Sequence, residues 1–212
     1  MQPRFTVLVA FAAACGRESR PPILDSTAAI AAFRDTLVRI GVEDQAGRDS
    51  VGVAIAANDT GFIKRLLRDD SARTRWLQRI LAVGGWPRRS VVGDTAANDA
   101  WLVVQHSPMH DFQEQMLALL EAEENRGEVK AADVAMLSDR VRVHRREPQR
   151  YGTQFSVKGK VFVADSIAEL IGLDSVRASV GLPPMTEYVR MLAQMFRMPV
   201  EWPPSTGRLV RP

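Results

Sequence analysis

A chain of 212 residues with 46% hydrophobic and 25% charged side chains has room for one domain with a substantial core, and that balance excludes disorder along its whole length. The formal net charge is only +3 and no nucleic-acid recognition motif accompanies it, so nucleic acid is not an expected partner. With four lysines among 28 basic residues the positive charge is almost all arginine, gathered at 65–89 and 140–150, which reads as solvated helix faces or as an anion site.

The N-terminus comes first in chain order. After Arg4, the stretch "FTVLVAFAAA" (5–14) is apolar throughout. It is too short to span a bilayer, which takes about 20 residues, and has the length of a secretory h-region. Residues 1–14 are therefore expected to be a signal peptide. Cys15, the single cysteine, follows, and polar, proline-containing residues through 25 read as a tether. "AAAC" resembles the lipobox of bacterial lipoproteins, although Ala12 stands where leucine is commoner. The resemblance implies lipidation of Cys15 and a membrane as partner through that lipid, and several acyl chains on one residue anchor stably. Gly16 at the second mature position is similar to lipoproteins sorted to the outer membrane, facing the periplasm. Secretion after an A-x-A site and a buried N-terminal helix are the alternatives. One cysteine leaves no disulfide in the domain.

A helical domain is expected over 26–198, mainly α with one small β-hairpin. Asp25 or Ser26 caps a first helix whose Ile30, Phe33, Leu37 and Ile40 define an inward stripe. If the helix survives Gly41, Asp44 and Arg48 lie on that stripe, four apart with the acid first, as an ion pair prefers. Two shorter helices are expected at 60–68 and 71–83, stopped by "GGWP" (84–87). "TAANDAWLVVQH" (95–106) reads as a buried helix that Pro108 ends, leaving His106 at its terminus. Phe112, Met116, Leu119 and Leu120 mark the next helix. Val134, Leu137, Val141 and His144 mark another, with Arg140 flanking the stripe and Asp139 pointing away from it. Alternation around Lys158-Gly159 predicts a hairpin of 154–157 and 160–164. Ser166 and Glu169 have capping-box spacing for a short helix. A last helix follows Pro183-Pro184, and 199–212, with four prolines, reads as an irregular tail.

The chemistry-bearing residues are few. The three histidines show no H-E-x-x-H context, and no C-x-x-C or P-loop pattern exists, so neither a metal nor a cofactor is expected. His106 and His110 have chelating spacing, but Pro108 between them breaks the helix that chelation needs. His106 is the candidate general acid or base, with Asp99, Asp44 or Asp111 to orient it. "QRYGTQF" (149–155) concentrates donors and acceptors that suit a polar ligand and equally suit buried helix ends.

Five segments, "DQAGR" (44–48), "GWP" (85–87), "AWLVVQH" (100–106), "DRVRV" (139–143) and "QRYGTQF", occur in an order that resembles an uncharacterised bacterial domain family of unknown function, over roughly 28–190. The resemblance implies a helical domain and marks Asp44, Gln45, Arg48, Trp86, Pro87, Gln105, His106, Asp139, Arg140, Tyr151, Gly152 and Gln154 as motif positions. Pro108 departs from the acid that relatives often carry two residues after the histidine. Three functions stay open. In a lipid-anchored binding module, Arg48, Arg140, Gln105, Tyr151 and Gln154 hold a small polar or anionic ligand, with Trp86 as platform. In a hydrolase-like enzyme, His106 works with Asp44 or Asp139 while Arg140 offsets negative charge. In a structural or partner-binding lipoprotein, with an unknown protein partner, the motifs only lock helices together.

Overall fold

The computed structural model describes residues 26–204 and 208–212, so the expected signal peptide, the tether and Cys15 lie outside the described residues. Helix α1 (Thr27–Gln45) begins where the Ser26 hydroxyl accepts from the Ala29 N–H at 3.1 Å. Its buried residues, Phe33, Leu37, Ile40, Gly41 and Asp44, recur every three or four positions. The helix does run through Gly41, and the Asp44 carboxylate is carried inward. A 3-10 turn (Arg48–Ser50) and α2 (Val51–Ala56) follow.

Helix α3 (Thr60–Gly84) is one element of 25 residues where two shorter helices were expected. The charged run does not interrupt it, because Asp70, Thr74 and Leu77 share the inward stripe and Asp70 meets guanidinium partners there. After the short α4 (Arg89–Val92) come α5 (Asp94–His106), α6 (His110–Glu124) and α7 (Ala131–His144). Helix α5 is the axle: α1, α3, α4, α6 and α7 all pack on it. Pro108 stops it at His106 as expected. Its last carbonyls are not left bare, since the fully buried Gln113 donates from Nε2 to the carbonyls of Val104 (2.9 Å) and Gln105 (3.2 Å).

The expected hairpin forms as β1 (Phe155–Lys158) and β2 (Val161–Ala164), antiparallel, with Val157 opposite Phe162. No helix starts at Ser166. Gln149 forms a bridge with Ile167, accepting from Ala168 N–H and donating to the Ser166 carbonyl, and so draws that segment into extended pairing. Helices α8 (Leu173–Ala178) and α9 (Met185–Phe196) come next. The stretch 199–212, expected to be irregular, contributes β3 (Val200–Glu201) and β4 (Leu209–Val210) instead, in a sheet of order β1-β2-β3-β4. The prolines sit outside these two-residue strands, and Val200 pairs parallel with Phe162.

The fold is mainly α, with two apolar centres among the described residues. One lies among α1 and α3–α7 around Leu37, Leu77, Val104, Leu120 and Leu137. The smaller lies between sheet and α9 around Phe162, Val189, Ala193 and Val200. They meet where α9 touches α2 and the 3-10 turn, so Arg48 stands at the joint. No helix among the described residues is long and apolar enough to cross a membrane.

Candidate functional site

The joint is built on Asp44, which is 1% exposed. Its Oδ2 lies 2.6 Å from His106 Nδ1 and accepts from Gln45 Nε2 at 2.9 Å; its Oδ1 accepts from Arg48 at 3.0 Å and lies 3.4 Å from Arg73 Nε. Burial alone pushes this carboxyl up, but the His106 and Arg48 contacts outweigh it and hold Asp44 below the usual carboxylate range. Asp70 closes the other side, accepting from Arg48 (2.6 Å) and Arg73 (2.7 Å). Helices α1 and α5 approach closely enough here that a Cβ on Gly41 would clash with the Asp99 side chain, so any larger residue at 41 has to displace that carboxylate. Asp99 itself is raised by burial and by the neighbouring Asp44 charge. The result is a carboxylate-oriented imidazole: Nδ1 is engaged, and Nε2 makes no hydrogen bond with any described residue. His106 remains 23% exposed, so that nitrogen is within reach of a ligand.

Arg140, on α7, is half-buried and lies within electrostatic reach of Arg48 and Tyr188. It makes no hydrogen bond or ion pair among the described residues, and its Nε is sealed from solvent without a partner. The terminal nitrogens are not among the sealed atoms, so the tip of the guanidinium faces accessible space. Burial, with Arg48 adding to it, pushes its pKa down to about 10.

"QRYGTQF" is arranged differently. The wholly buried Asp139, expected to point away from the core, accepts from the N–H groups of Arg150 (2.7 Å), Tyr151 (3.1 Å) and Thr153 (3.0 Å) and from the Thr153 hydroxyl (3.1 Å). Gly152, at φ +68°, bends the loop around that carboxylate. Gln149 accepts from Gln154 N–H at 2.6 Å and donates to the carbonyls of Gln154 and Asp165. Gln154 donates to the Met136 carbonyl (3.3 Å) and the Thr153 hydroxyl (3.0 Å). Buried Arg177 donates to the carbonyls of Tyr151 and Pro183 and lies over the Tyr188 ring, whose hydroxyl donates to the Thr153 carbonyl. Tyr151 is half-buried, with Arg150 over its ring at 5.3 Å. Thus Gln149, Thr153 and Gln154 are spent on one another, on Asp139 and on carbonyls, while the Tyr151 hydroxyl makes no hydrogen bond among the described residues, and Asp139 is not the residue that orients His106.

Trp86 lies in the helical core, 6% exposed, away from the Asp44 cluster. It borders a notch of about 20 Å³ with Trp101 and Asp133, where burial raises the Asp133 carboxyl to about 6; that is room for about one water. Gln105 is buried beside His106 with its Oε1 unpartnered. A groove of about 200 Å³, lined by Phe62, Leu66, Arg65 and Arg73, borders the cluster from the α3 side. Asp70 and Arg73 were not singled out from sequence, although Asp70, Thr74 and Leu77 at four- and three-residue spacing put a carboxylate on an inward stripe, the same signal that marks Asp44. No group of three or more metal-ligating side chains occurs among the described residues.

A family model described as a family of unknown function, DUF6624, matches residues 32–201, and the chain belongs to that family. Neither the curated proteins nor the solved structures hold a significant match.

Asp139→Asn keeps the size of the side chain but turns an amide toward N–H donors. Losing charge-assisted bonds at a buried site is expected to cost about 2–4 kcal/mol, read as a lowered midpoint in urea unfolding. A loss below about 0.5 kcal/mol would show that the loop does not depend on this carboxylate.

Proposed function

We propose that this member of a family of unknown function holds a small anion at Arg140 and Arg48, beside the Asp44–His106 dyad. The observation that carries the reading is the guanidinium of Arg140, partly withdrawn from water with no carboxylate or carbonyl upon it. Leaving a withdrawn charge uncompensated costs several kcal/mol. A carboxylate, phosphate or sulfate group offsets that cost and matches the planar fork of an arginine through two parallel hydrogen bonds. Charge balance points the same way. Arg48 and Arg73 are matched by Asp44 and Asp70, and Arg140 adds a positive charge with no partner in the set.

The 2.6 Å contact between Asp44 and His106 favours a second reading, an acid–base enzyme of hydrolytic type. Held through Nδ1, the imidazole presents Nε2 to take a proton from water as that water attacks a bound ester; the ester bond breaks, the imidazolium returns the proton to the departing oxygen, and Arg140 offsets the negative charge that develops. No cofactor is required for that step.

In the same proposal the chain sits in the bacterial envelope, anchored by lipid on Cys15 with the domain facing the periplasm. The ten-residue apolar run and the lone cysteine at its end support this.

Sulfate titrated into the full chain by calorimetry is expected to bind, and Arg140→Gln to bind about tenfold more weakly or worse, as the loss of a charge-assisted contact requires. Equal affinity in the two proteins would overturn the Arg140 site. Cys15→Ala is expected to move the protein from the membrane to the soluble fraction, and its retention on membranes would overturn the anchor.

A further inference from the structure

One turn along α7 from Arg140 stands a second group that the anion site does not use. His144 stacks on His110 of α6, ring centroids 3.5 Å apart and planes inclined by 17°. His144 Nδ1 is buried without a partner among the described residues, while His110 is exposed. The charged groups facing His144 are Arg140 on its own helix, and His110 and Glu114 on α6. Glu114 is itself taken by Arg145, which donates to both carboxylate oxygens at 2.9 and 3.0 Å. The surroundings of the imidazole are therefore cationic, and the one nearby carboxylate is engaged elsewhere.

We propose that an anion bound at Arg140 draws a proton onto the His110–His144 stack, so that the site tightens as the solution becomes more acidic. This rests on the reading of Arg140 as the anion's seat. Positions 140 and 144 lie on one helix face, so the charge that the anion neutralises is one of those that disfavour imidazolium at His144. Burial first, then His110 and Arg140, hold His144 down to about 4 while Glu114 opposes them. With the anion in place the Arg140 contribution falls away while burial and His110 remain, so the ring accepts a proton from solvent at a somewhat higher pH than before. Linkage makes the effect reciprocal: the protonated stack, one positive charge richer, holds the anion more firmly.

Sulfate is the probe of choice, because it keeps its own charge across the range in which imidazoles titrate. Calorimetric titration of the full chain from about pH 8 down to about pH 4 is expected to show affinity rising about twofold or more, with net proton uptake read from the dependence of the binding enthalpy on buffer ionisation. In His144→Phe, which preserves a stacked ring, the affinity at the alkaline end is expected to be unchanged and the rise to be lost. In His106→Gln the rise is expected to persist. A rise that survives in His144→Phe, or one that vanishes only in His106→Gln, overturns the coupling while leaving the Arg140 site standing. A wild-type chain that takes up no sulfate, or binds it equally well after Arg140→Gln, overturns the site and the coupling together. Should His144→Phe fail to fold, His144→Gln, which keeps a polar side chain without a titratable ring, serves the same comparison.

Discussion

The Asp44 carboxylate is the constraint from which the rest of the site follows. It receives His106 from the end of α5, Arg48 from the 3-10 turn and Arg73 from α3, while sitting on α1 itself. Four segments that are distant in sequence are thereby fixed to one group. Buried ion networks of this kind add little net stability compared with apolar packing, yet removing one partner costs about 3–5 kcal/mol because the other is left stranded. Their consequence here is positional. The short contact with Nδ1 sets the plane of the imidazole and turns Nε2 outward, and Arg48 is held taut between Asp44 and Asp70 at the contact with α9.

The two wholly buried carboxylates of the motif set have opposite uses. Asp139 receives four donors from a single loop; it shapes "QRYGTQF" and ties that loop, which leads into β1, to α7. Asp44 receives side chains that themselves retain unspent atoms. Buried side-chain atoms without a hydrogen bond include Nε of Arg48 and Arg140 and Oε1 of Gln105 near the dyad, and others lie elsewhere, at Trp86, Gln113, His144 and Arg177. Native interiors leave few polar atoms unpaired, and of these Arg140 is the one whose whole guanidinium lacks a protein partner among the described residues.

Much of this was legible in the sequence. The α1 stripe placed Asp44 inward four residues before Arg48, and Pro108 put His106 at a helix end. What stayed hidden was non-local. The run at 68–70 reads as a surface break until the arginines that neutralise Asp70 are known to lie opposite. Asp139 reads as outward because Val134, Leu137 and Val141 define only one buried face of α7, and the loop at 149–154 buries a second. Strands β3 and β4 span two residues each among prolines, too short for any alternation, and their pairing comes from neighbours made elsewhere in the chain. Composition likewise could not decide whether the polar residues of "QRYGTQF" meet a ligand or each other. Trp86 was read as a platform on its aromatic character alone, and the core had a prior claim on it.

The central claim is that Arg140 is kept at a cost to stability because something binds it. The most direct measurement is the unfolding free energy of Arg140→Met against wild type, in buffer free of multivalent anions. An uncompensated charge replaced by an apolar chain of similar length predicts a variant at least as stable as wild type. A variant destabilised by about 3 kcal/mol or more would instead make Arg140 a structural group like Arg177, and the anion site would lose its foundation.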